Sequence, residues 1–244
     1  MSNFVVSKSG VKVYKQWQDN IVIDADNPAI AKQSAKSYYQ GLAKGLSRLG
    51  SENSEDALTW NIFRTLQTVP ASLWLHSIVQ PFVSSDDNAT LHFWKNYAPP
   101  ATYPDKEGNS EVDLAIETES ALLFIEAKFG SSISKNTSRN KKRNQVIRNI
   151  DIGSWHASQS NKEFYFFLLT PEKHKTDLII RYQDSNTLAD ELSHRTNIID
   201  FDTLASRIYH IHWETIIDLL RDETFQKQAD KTFDKLLAWL DGKF

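Results

Sequence analysis

Three residues near the middle of the chain, Asp113, Glu126 and Lys128, could do chemistry together by type and spacing. Asp113 opens an apolar run through Leu114, Ala115 and Ile116, and the triplet Glu126-Ala127-Lys128 closes a second run, Ala121 to Ile125. Between the runs, Thr118-Glu119-Ser120 is short and polar enough for a hairpin turn. Successive side chains of an extended strand alternate faces, so Glu126 and Lys128 point the same way and Ala127 the other. An antiparallel hairpin pairing the two runs brings Asp113 close to that pair. Two carboxylates and an ammonium at strand ends make a site for a hard divalent cation with a positive side chain beside it. Phosphodiester hydrolysis needs this arrangement.

The flanking pattern supplies the elements that would hold these groups. Residues 3–25 alternate loosely and suggest small strands. A helix is expected from Asn27, an N-cap with Pro28 behind it, along Ala31, Ala35, Tyr38, Leu42, Leu46 and Leu49, with Gly50 as its stop. A second helix is expected from about Ser54, with Leu58, Ile62 and Leu66 on one face and Glu55 and Asp56 in its first turn. Residues 81–110, rich in proline, read as an irregular excursion. After the hairpin come a polar loop, a helix through Arg139–Ile150, and strands at Phe164–Leu169, Leu178–Tyr182 and Ile208–Trp213. The chain finishes with helices at Glu214–Arg221 and Phe225–Leu240.

Composition narrows the class. With 244 residues, 40% of them apolar, the chain can build a packed core, and one domain spanning 1–244 is the expectation. The absence of cysteine removes disulfides and thiolate metal sites and fits a reducing cytoplasm. The first residues show no basic segment followed by a long apolar one, so no signal peptide is expected, and no run is long enough to span a membrane. Net charge is −3, so nucleic-acid binding would rest on a local basic patch.

The order helix, strands, helix, strand, with Asp113 followed by Glu126-x-Lys128, resembles the PD-(D/E)XK, or restriction-endonuclease-like, nuclease superfamily. The resemblance covers roughly residues 50–170. One departure is Val112, where a proline often precedes the acid. The resemblance implies an α/β fold: an αβββαβ core of mixed central sheet flanked by helices, about residues 50–215, with additional helices at both ends. By charge, Asp113 and Glu126 would hold Mg²⁺ or Mn²⁺, with the carbonyl of Ala127 as a further ligand. Lys128 would orient the attacking water or stabilise developing negative charge. The plain alternative is an exposed ion pair at a strand end, but the apolar stretch before it marks a central strand, where charges are costly unless used or paired. The resemblance also points to Glu55 as a helical metal ligand, with Glu52 as competitor, against simple capping and dipole complementarity for both. It points likewise to Gln145 as a helical residue reaching the site, against a polar side chain that simply faces solvent.

The tract from Lys135 to Arg148 holds six cations, Lys135, Arg139, Lys141, Lys142, Arg143 and Arg148, and follows the catalytic lysine candidate directly. Phosphate contact is the functional reading, and a solvated face is the alternative. His210-Ile211-His212 would place two imidazoles on one face, but no third ligand lies at a useful spacing, and Tyr209 and Trp213 suggest packing. No glycine-rich phosphate loop or serine-hydrolase motif is present. The expectation is therefore a metal-dependent nuclease acting on DNA in bacterial defence, restriction or repair. A homodimer would suit a nuclease cutting both strands, although nothing in the chain marks an interface. The rival is a catalytically inactive nucleic-acid-binding or assembly protein that keeps the fold.

Overall fold

The computed structural model describes residues 2–78, 88–101, 103, 108–130, 143–172, 176–195, 200–227 and 231–243. In chain order the first elements are β1 (Phe4–Val6), β2 (Lys12–Tyr14), α1 (Pro28–Gln33), α2 (Glu55–Leu66) and α3 (Leu75–Ile78). Then come β3 (Thr90–Tyr97), β4 (Ser110–Glu117), β5 (Ala121–Ala127), α4 (Gln145–Gln159) and β6 (Glu163–Thr170). The last are α5 (Leu178–Tyr182), α6 (Ser185–Glu191), α7 (Phe201–Ala205), β7 (Ile208–His212), α8 (Trp213–Arg221), α9 (Glu223–Gln226) and α10 (Lys231–Leu240). The chain divides into two compact units, Met1–Phe82 with Ile216–Phe244, and Val83–Thr215.

The second unit carries the sheet, a five-stranded mixed sheet in the order β3-β4-β5-β6-β7 and flanked by helices. The first three strands form an antiparallel meander, and β5, β6 and β7 run parallel. Parallel neighbours need a crossover, and α4 supplies the one between β5 and β6. Asn144 caps α4, accepting from Ile147 N at 3.1 Å. The buried stripe Val146, Ile147, Ile150 and Ala157 packs with Leu122, Phe124, Phe164, Phe166 and Leu168. Gly153 stands where α4 comes nearest the sheet: a Cβ there would lie 2.1 Å from Cε2 of Phe164.

Four expectations are corrected here. The long helix from Asn27 to Leu49 ends at Gln33, although Asn27 and Pro28 cap it as expected, with Ala29 N bonded to Asn27 Oδ1 at 3.0 Å. Beyond it Gly41 and Gly45 take positive φ (76° and 83°), and Ser37 bridges antiparallel to Ser47, so the chain turns back on itself. The irregular excursion contains β3; its buried residues Leu91, Trp94 and Tyr97 fall three apart and hide the alternation, because Trp94 has φ 49° and breaks the pleat. Residues 178–182 are helical, burying Ile179 and Tyr182 one turn apart and leaving Ile180 exposed. Finally, α4 starts at Gln145 and continues to Gln159; residues 139–142, the start of the helix expected there, lie outside the described residues.

The remaining elements follow the expected places closely. Ser54 caps α2 through Ala57 N, at 3.1 Å. The second helix buries Leu58, Ile62 and Leu66 in the first unit, where Trp60 donates to the carbonyl of Ile23 at 2.9 Å. Residues 225–240 hold the end of α9 and α10, with 228–230 outside the described residues. No helix among the described residues is long and apolar enough to cross a membrane.

Candidate active site

Asp113, Glu126 and Lys128 meet at one end of the sheet. The hairpin closes at Thr118, whose N–H bonds to Ala121 O at 2.9 Å while its hydroxyl oxygen accepts from Ala121 N at 3.1 Å. From there the ladder runs Glu117↔Leu122 to Leu114↔Ile125, and one further step of that register sets Asp113 opposite Glu126. The ladder stops short of that step. On the other side of β4 the pairs pass from Phe93↔Leu114 to Lys95↔Val112 and skip Trp94 and Asp113. Irregularities of this kind in a ladder re-aim a side chain, and Asp113 is the residue re-aimed.

Its carboxylate turns to β5. Lys128 N–H bonds toward β6, to Leu169 O at 2.8 Å, so the preceding N–H, that of Ala127, leaves on the β4 side. There Asp113 Oδ2 accepts it at 2.9 Å. A residue's N–H and C=O leave a strand on the same side, so the Ala127 carbonyl also faces the Asp113 edge.

Glu126 is fully buried, with 0% exposure, and both its oxygens are engaged. Oε1 accepts from Lys128 Nζ at 2.6 Å, the lysine side chain being 10% exposed. Oε2 accepts from Asn149 Nδ2 at 3.0 Å, and Asn149 Oδ1 accepts from Ser110 Oγ at 2.7 Å. Trp213 Nε1 donates to Lys128 O at 2.9 Å and holds the strand end. No motif marks Asn149 or Ser110 as part of the site. The one available signal is spacing: Asn149 lies four residues after Gln145, on the same side of one helix. Gln145 itself is the first, partly exposed residue of α4, while Asn149 one turn later reaches the carboxylate.

Two further sequence candidates belong to the first unit. Glu55 sits in the first turn of α2, in the first unit. Glu52 pairs there with Lys12 at 3.5 Å. Lys135, Arg139, Lys141 and Lys142 lie outside the described residues. Arg143, expected to contact phosphate, has a buried guanidinium bonded to Asp151 Oδ2 at 2.8 Å and lying over the Tyr103 ring, 4.4 Å from its centroid. Arg148 donates to the carbonyls of Gly108 and Asn109.

Asp151, which no motif singles out, is the centre of a buried ionic cluster. Arg195 Nη1 bonds its Oδ1 at 2.9 Å, and His194 Nε2 lies 2.8 Å from Oδ2. Burial pushes the Asp151 carboxyl up, but the His194 bond, the charge of Arg143 and the Arg195 bond outweigh it and hold it below its ordinary value. His210 and His212 stand with ring centroids 4.6 Å apart, and His210 Nε2 lies 2.7 Å from Thr170 Oγ1.

The oxygen donors of Asp113, Glu126 and Ala127 fit a hard divalent cation by chemistry. Among the described residues, no group of three or more histidine or acidic side chains is gathered as a metal cage. Comparison with protein-family models, with curated proteins and with solved structures finds no match.

Proposed function

We propose that the chain is a metal-dependent phosphodiesterase acting on DNA, with a restriction-endonuclease-like core. The observation that carries this reading is the convergence of Asp113, Glu126 and Lys128 around Ala127, at the end of an antiparallel meander followed by a helix and a parallel strand. Asp113, Glu126 and the Ala127 carbonyl would hold Mg²⁺ or Mn²⁺. Bound there, the cation would acidify a water and offset charge on the attacked phosphate. Lys128 would keep that water, or the charge developing on the phosphate, against its ammonium. Asn149, braced by Ser110, would keep the Glu126 carboxylate in place, which is the usual work of groups behind a ligand. Bacterial defence, restriction or repair is the setting this activity suits.

The rival is an inactive nucleic-acid-binding or assembly protein of the same fold. One observation favours it: both oxygens of Glu126 are already bonded within a fully buried network. Incubating the full chain with supercoiled plasmid and Mn²⁺, beside Asp113→Ala, separates the two. The nuclease reading expects nicked or linear product from the native chain and none from the variant. Equal product from both, or none from either across Mg²⁺ and Mn²⁺, would sink it, and retained DNA binding without cleavage would favour the rival.

A further inference from the structure

The stretch where the long first helix was expected carries the two most exposed large apolar side chains among the described residues. Tyr39 is 77% and Leu42 78% exposed, at the tip of a loop in the first unit. The loop is closed by backbone bonds, Tyr38 N to Leu46 O at 3.0 Å and Gly45 N to Tyr38 O at 2.9 Å, with Arg48 N to Lys36 O at 2.7 Å below them. Gly41 and Gly45 make the turns in the left-handed region, and Ala43, 2% exposed, anchors the loop from within. The tip is thus pinned rather than trailing, and it presents two apolar side chains that a free surface gains nothing by showing.

Charge indicates what covers them. From Asn27 to Ser51 the sequence contains no acidic residue and four cations, Lys32, Lys36, Lys44 and Arg48, in a chain whose net charge is −3. All four are exposed. The side chain of Lys8 reaches the same place, its Cγ 3.8 Å from where a Cβ on Gly41 would stand. The Arg48 guanidinium lies over the Tyr39 ring, 5.7 Å from its centroid, and the tyrosine stays largely exposed. An exposed aromatic ring with a guanidinium over it, in a segment whose charged residues are all cations, suits a polyanion that carries flat apolar groups. A nucleic acid with unpaired bases is that partner: its phosphates meet the cations and its bases stack on the ring.

We propose that the loop Ser37–Ser47 binds single-stranded nucleic acid, with a base stacked on the Tyr39 ring, Leu42 against it, and phosphates on Lys44, Arg48 and Lys8. The inference rests on nucleic acid being the substrate and adds where the strand is gripped outside the candidate active site. It also supplies a basic surface in place of the buried Arg143.

The test uses the full chain without divalent cation and a fluorescein-labelled single-stranded oligonucleotide, read by anisotropy. Tyr39→Ala should bind about tenfold more weakly or worse, as expected when one stacked base loses its platform. Tyr39→Phe should bind like the native chain, since stacking needs only the ring. Lys44→Gln with Arg48→Gln should flatten the salt dependence, by roughly 0.7 in log–log slope for each phosphate left without its cation. Both side chains are exposed, so unchanged thermal melting will show that the fold is intact. Native-strength binding by Tyr39→Ala and Leu42→Ala would overturn the loop as the binding site while leaving the nuclease reading standing. No binding by the native chain to single strands or duplex would overturn both. Native-chain flotation with anionic vesicles, or self-association, that Tyr39→Ala with Leu42→Ala abolishes would overturn it in favour of a lipid surface or a second copy.

Discussion

Glu126 and Lys128 are two residues apart, yet what their ion pair is worth depends on its surroundings. The carboxylate is fully buried, and its ammonium partner at 2.6 Å is nearly so. Removing one partner of a buried pair strands the other, at about 3–5 kcal/mol, whereas removing both charges together is often close to neutral. Lys128→Ala should therefore lose about 3–5 kcal/mol in urea unfolding, and Glu126→Gln with Lys128→Met should recover most of it. Both should be inactive, which separates stability from catalysis. A loss below about 1 kcal/mol in Lys128→Ala would mean that the pair is effectively solvated. Asp151 gives a prediction with a sign. Its carboxyl is held below the ordinary 3.8, so its stabilisation is fully present above that value and is lost as pH falls through the depressed folded value. Asp151→Asn should destabilise by several kcal/mol at neutral pH and by clearly less at about pH 3, because the native chain has then begun to lose the same contribution. Equal differences at both pH values in urea titrations would show that Asp151 does not titrate in this window.

Among the elements, α4 does the most. One side of it carries Asn149 to the candidate active site, and another position carries Asp151 to the ionic cluster. Its approach to the sheet is set by Gly153, where an added Cβ would meet Phe164 Cε2 at 2.1 Å and Phe124 Cδ2 at 2.9 Å. Alanine is the better helix former by about 1 kcal/mol, but overpacking of this kind typically costs about 1–3 kcal/mol. Gly153→Ala should thus lower Tm, and Phe164→Leu should relieve part of the added cost when the two are combined; a Gly153→Ala chain that melts higher would refute the close packing. The corrected elements share a cause. Leu178–Tyr182 is rich in residues that suit a strand, yet Ile179 and Tyr182 find a buried surface at helical spacing. In β3 the kink at Trp94 gives a strand buried positions three apart. Propensity and periodicity report the preference of a segment alone, and tertiary burial overrides it where a surface is waiting.

For the molecule as a whole, the sheet gathers at one end of β4 and β5 groups from β4, β5, α4 and the start of α8: Asp113, Glu126, Lys128, Asn149 and Trp213. On the proposed nuclease reading, the oxygen-only donor set predicts that cleavage by the full chain requires Mg²⁺ or Mn²⁺, with Ca²⁺ occupying the site without turnover. Plasmid cleavage undiminished by EDTA would refute this mechanism. How the chain spells this out differs from group to group. The sequence alone determined what short-range geometry dictates: the shared face of Glu126 and Lys128, the cap at Asn27, the start of a helix near Ser54, and the turn at Thr118 whose hairpin brings in Asp113. These rest on strand alternation and on side-chain bonds spanning two or three residues, which any context preserves. Only the tertiary structure decided that Asn149 would reach Glu126 across 23 positions, that Asp151 would gather Arg195 from 44 positions away, and that Tyr39 and Leu42 would stand in solvent. Such contacts join residues whose spacing along the chain carries no signal, because their partners are chosen by the packing of helix on sheet and by the high cost of leaving a buried polar group unpaired.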